Sequence, residues 1–139
     1  MATRSTNWTI VLGLFGFSNL ANGVWMLAAP AHWYFNLPAD IPGTGPLNEH
    51  MVRDIGCIFL LMGVGLCLGA LRPALRLPAL AVATGWSGLH ALVHVFDTVR
   101  GLLAPGHWAI DVPGIYGPTT LLLLVTGVAW RTEKRRARA

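Results

Sequence analysis

The stretch LPALAVATGWSGLHALVHVFDTV, residues 77–99, reads as a helix long and apolar enough to cross a membrane, yet it closes on two histidines and an aspartate. At 1.5 Å per residue it extends about 34 Å, against about 30 Å of hydrocarbon. At about 100° per residue, His90, His94 and Asp97 share one stripe, which continues inward through Trp86, Ala83 and Ala79. A charged group inside a membrane costs about 2.5–3.5 kcal/mol by insertion scales and normally faces protein partners. The stretch therefore predicts a membrane helix that contributes to a polar site.

The rest of the chain supports that reading. Its 139 residues are 54% hydrophobic and 12% charged, whereas soluble domains carry about 25% charged residues. Three more spans are expected, at about 8–29, 50–71 and 112–130, beside 77–99. The first is longer than the apolar core of a signal peptide and is read as a genuine span. The fold class is all-α: an integral membrane four-helix bundle, one membrane domain over residues 1–139. Cys57 and Cys67 fall on one expected helix, ten residues apart, and cannot bridge each other. The net charge of +4 does not point to nucleic acid, because five of the ten basic residues lie in the last nine, RTEKRRARA. That tail, 131–139, is a topology and anionic-lipid signal.

Loop charge sets the expected orientation. Arg72 and Arg76 lie in or beside the short loop between spans two and three, Arg4 precedes span one, and the tail follows span four. Residues 30–47 contain no Lys or Arg. Both termini are thus expected in the cytoplasm, with the long Pro/Gly-rich loops outside and a short interfacial helix at AHWYFN.

On antiparallel spans the polar residues then fall at one depth, near the outer face. Span two opens with NEHMVRDIGC, placing His50 and Asp54 four apart with Cys57 on the same stripe. Span three presents His90, His94 and Asp97. Together His50, Asp54, His90, His94 and Asp97 form the expected metal set, a mixture of nitrogen and oxygen donors suited to iron, manganese, zinc or copper. Asn19, Asn22, Cys57, Trp86 and Tyr116 are the expected surrounding or substrate-facing residues. His32 and His107, each beside a tryptophan in a loop, are read as interface residues. Glu49 and Arg53, four apart at the rim, are read as a helix-starting ion pair.

Other readings stay open. Haem could be held between His50 and His90 or His94, although neighbouring carboxylates suit a macrocycle poorly. The cluster could instead be a buried polar network in an accessory subunit, or in a protein binding a lipid or quinone. A small transporter is a further class, against which stands the apolar inner half of every span. Glycines on the helices allow close packing and would also allow a homo-oligomer.

NEHMVRDIG at the start of span two and HALVHVFD in span three, with the span count and spacing, resemble small bacterial four-helix membrane proteins of the broadly DoxX-like kind. The resemblance implies a four-helix membrane bundle and hints at an oxidoreductase acting on a lipophilic substrate. It supplies no catalytic residues.

Overall fold

The computed structural model describes residues 2–138, and among these all regular structure is helical. The chain runs α1 (Ala2–Ala28), α2 (Pro30–Asn36), a 3-10 turn (Ile41–Thr44), α3 (Glu49–Leu71), α4 (Pro73–Val99), α5 (His107–Asp111), a π turn (Val112–Tyr116) and α6 (Gly117–Arg136). Four helical stretches are long and apolar enough to cross a membrane: 7–28, 49–71, 73–99 and 107–136. Large apolar side chains point outward along them, with Leu61 73% and Val99 80% exposed. Apolar surface on that scale calls for lipid or a partner rather than water.

The local reasons for these boundaries are legible. Asn48 caps α3, its side chain accepting from Met51 N–H at 3.1 Å. Glu49 pairs with Arg53 at 2.8 Å in the first turn, as the spacing predicts. A proline restricts the residue before it to extended backbone. Arg72 accordingly sits at φ −120°, ψ 104°, and Pro73 opens α4 immediately after. One residue thus separates two long helices, which fold back on each other as an antiparallel pair.

The long helices pack in chain order: α1 on α3, α3 on α4, and α4 on α6. The α1–α3 contact is the closest. A methyl group added at Gly23 would meet the Gly56 carbonyl oxygen at 2.8 Å and Leu60 N at 2.9 Å. One added at Gly63 would meet Leu20 N at 2.8 Å. Backbone touches backbone here, the way small residues bring membrane helices together where lipid removes any hydrophobic drive. Thr9 donates to the Ala70 carbonyl at 3.2 Å at the far end of the same pair. Between α4 and α6, the Thr84 and Thr126 hydroxyls lie 2.7 Å apart, and Thr119 donates to Ser87 O at 3.3 Å. A core of Leu12, Met62, Leu66, Leu80, Ala83 and Leu122 joins all four long helices.

One end of this stack carries the long connections. There α2, the expected short helix, is pinned to α1: Trp33 Nε1 donates to Asn22 Oδ1 at 2.8 Å, and Trp25 Nε1 to His32 Nδ1 at 3.0 Å. Met26, Trp33, Tyr34 and Val52 form a second small core beneath it. Tyr34 donates its hydroxyl to the Gly45 carbonyl, which ties down the loop carrying Asp40.

Candidate metal centre

The fourth span begins earlier than hydropathy alone suggests, and that shift builds the site. Gly101 and Gly106 take positive φ (68° and 93°), a conformation that favours glycine. Gly101 lets the chain turn after α4, and Gly106 starts α5. His107 and Asp111 then stand one turn apart on α5, both 2% exposed. Below them, Pro113 and Pro118 lack the N–H groups that an α-helix would direct to Ala109 and Gly114. The chain responds with a π turn, in which Gly117 N–H donates to Val112 O. This wider turn sets the direction of α5 independently of α6.

The resulting geometry is an alternating row of rings and carboxylates. His94 Nδ1 on α4 lies 2.9 Å from Asp111 Oδ2. Asp111 Oδ1 lies 3.5 Å from His107 Nε2. On the far side of that ring, His107 Nδ1 lies 3.5 Å from Asp40 Oδ2. Asp40 reaches it from a left-handed backbone conformation, φ 47°, which aspartate tolerates better than most residues. Inward from His94, the row continues through His90, edge-on at 4.8 Å, to Trp86, stacked on His90 at 6.1 Å. The row ends at Asp40, whose side chain is 48% exposed.

His107 is the unusual member. Both of its ring nitrogens are buried and neither makes a hydrogen bond, although each faces a carboxylate oxygen. A buried polar atom without a partner is expensive and uncommon. One ligand atom each from His94, His107 and Asp111 lies within 4.8 Å of the others. Ligand atoms at zinc-like distances of about 2.0–2.1 Å in a tetrahedral shell stand roughly 3.3–3.4 Å apart. His94 Nδ1 stands 2.9 Å from one Asp111 oxygen and His107 Nε2 3.5 Å from the other, so the two imidazoles flank a single carboxylate at spacings near that value. Two imidazoles and a carboxylate are also the facial set of non-haem iron centres. Asp40 beside His107 Nδ1 is placed to orient that ring, as carboxylates behind metal-bound histidines do.

Of the residues expected to hold a metal, His94 belongs to this group and His90 abuts it. Asp97 is partly exposed and lies outside it. His50 and Asp54 also stand apart: they pair with each other at 3.5 Å, with side chains 87% and 59% exposed. Antiparallel packing does bring α3 and α4 together, but His50 and Asp54 point elsewhere. Among the expected surrounding residues, Trp86 stacks on His90 at the inner end of the row. Asn19 donates back to Phe15 O on its own helix at 2.8 Å, Asn22 holds Trp33, and Cys57 is exposed. Tyr116 lines a groove between α4 and α6.

His107 and Asp111 belong to this group although neither is in the set expected from the sequence. His107 was read as an interface residue, and the expected span began at Val112, one residue too late to include Asp111. The available signal was HWAID itself, another histidine and aspartate four apart, like His50 and Asp54. Compared with family models, curated proteins and solved structures, the chain matches none.

Proposed function

We propose that this is a multi-pass protein of the bacterial cytoplasmic membrane, a DoxX-like four-helix bundle, carrying a transition-metal site near its outer face. The ligands are His94, His107 and Asp111, with Asp40 orienting His107 and His90 flanking His94. The observation that carries this reading is the buried His107 ring: its nitrogens lack hydrogen bonds, and one of them stands beside the carboxylate that also holds His94. The basic end of the stack, with Arg72 and the α6 tail, faces the cytoplasm under the positive-inside rule.

A bound iron, copper, zinc or manganese ion would supply Lewis acidity or, for iron and copper, electron transfer. The chain's own part is to hold two imidazoles and one carboxylate together out of water, with Asp40 at the exposed end of the row orienting His107. A groove of about 730 Å³ between α4 and α6 is lined by Gly88, Leu92, Val95, Tyr116 and Thr119 among others. It supports a lipophilic molecule such as a quinone as the substrate of an oxidoreductase.

Elemental analysis of protein purified without chelators or a His-tag tests the reading. The expected result is about one metal ion per chain, lost in His107→Ala and Asp111→Ala and retained in His50→Ala. No metal, before or after reconstitution with each of the four ions, would make the row a polar network instead. A Soret band would assign the histidines to haem.

A further inference from the structure

The opposite end of the molecule holds a second feature that the metal reading leaves unused. Arg76, at the start of α4, is 6% exposed. Its Nε is buried without a hydrogen bond, and none of the ion pairs among the described residues includes it. Its guanidinium lies over the Trp8 ring, with 5.0 Å from its carbon to the ring centroid. The charges that act on it are Arg136 and Glu133, and Glu133 is already engaged by Arg136 at 3.2 Å. A buried cation without a carboxylate in contact calls for a counter-ion.

Trp8 also lines an apolar groove of about 330 Å³ between α1 and α6, together with Asn7, Val11, Leu124, Val125 and Val128. The two helices stand apart across it, each packing instead on a different neighbour. Above the groove, α6 continues into Lys134, Arg135 and Arg136, so an apolar channel runs up to a rim of cations. Neither half of this arrangement suits a free anion or a neutral lipid. The channel is matched by an acyl chain, and the rim by a phosphate with net negative charge.

We propose that the α1–α6 groove binds one anionic phospholipid. An acyl chain lies along Val11, Leu124 and Val128, and the phosphate is held by Arg136 and the small surface that Arg76 keeps open. Planar guanidinium groups are suited to two-point contact with phosphate oxygens, which makes Arg76 more than a diffuse positive charge.

Native mass spectrometry of the full chain in detergent, titrated with phosphatidylglycerol or with phosphatidylcholine of the same acyl chains, tests the proposal. The wild type should hold one phosphatidylglycerol with about tenfold preference. Arg76→Gln should remove most of that preference, and Val128→Trp, which fills the groove at a 55% exposed position, should remove binding of both lipids. The double tail variant Arg131→Gln, Arg138→Gln should stay within about twofold of wild type, because neither residue lines the groove or its rim and a built site does not depend on diffuse tail charge. Equal affinity of the wild type for both lipids would overturn the proposal. So would an unchanged preference in folded Arg76→Gln, or a tail variant as impaired as Arg76→Gln. If Arg76→Gln does not fold, Val128→Trp decides alone: undiminished phosphatidylglycerol binding refutes the site.

Discussion

Asp111 reaches His94 at 2.9 Å across 17 positions of sequence, from a helix of five residues that hydropathy alone does not set apart. That one carboxylate joins α4 to α5 and stands between two imidazoles. Its substitution is therefore the most informative at this end of the molecule.

Asp111→Asn keeps the shape and one acceptor oxygen but removes the charge. Metal affinity should fall by at least about 100-fold, judged by competition with a chelator, because a ligand is weakened rather than its surroundings. Asp111→Ala should in addition lower stability by about 1–3 kcal/mol, since it leaves His94 Nδ1 without its partner. Thermal unfolding in detergent measures the second effect, and equal stability of the two variants would contradict it.

Asp40→Asn is the gentler test. Asparagine accepts the left-handed backbone at this position, so the loop should keep its course, as circular dichroism and the fluorescence of Trp33 would register. Metal affinity should drop by about 10–100-fold, the usual effect of losing a carboxylate behind a ligating histidine. A full-strength site in this variant would remove Asp40 from the design.

His50→Ala and Asp54→Ala should leave metal content unchanged and stability within about 0.5 kcal/mol. Both side chains are largely exposed and, among the described residues, pair with each other. Metal loss in either variant would restore α3 to the site and displace the grouping around His107.

Proton competition gives the pH dependence its sign. An imidazole ligates only when neutral, so metal binding releases protons and must weaken as the medium is acidified. Chelator competition should therefore show affinity falling as the medium is acidified. A flat profile would argue that the histidines do not ligate.

Gly23→Ala addresses the frame rather than the site. Its new methyl group meets backbone atoms of α3 at 2.8 and 2.9 Å, and neither can move without parting the helices. A loss of about 1–3 kcal/mol is expected. Gly13→Ala, with nothing within 4 Å of the added carbon, should be neutral or slightly stabilising. Comparable losses at both positions would show that helix contact is not the cause.

Helix content and the four apolar spans were legible in the amino-acid order because each depends on a local property. A run of about 20 apolar residues satisfies its own backbone hydrogen bonds only as a helix. Asn48 and Pro73 act on their immediate neighbours, so α3 and the start of α4 follow from a few residues. His94 was legible too, since an ionisable group on an apolar stripe marks itself. Its partners were not. His50 matched it in depth, but depth along a helix says nothing of the direction a side chain takes around it. His107 and Asp111 arrive through two left-handed glycines and a π turn set by two prolines, and Asp40 through a loop that Tyr34 holds down. Those are long-range arrangements, in which backbone angles at 101, 106 and 112–116 decide which side chains meet; only the tertiary structure settles them.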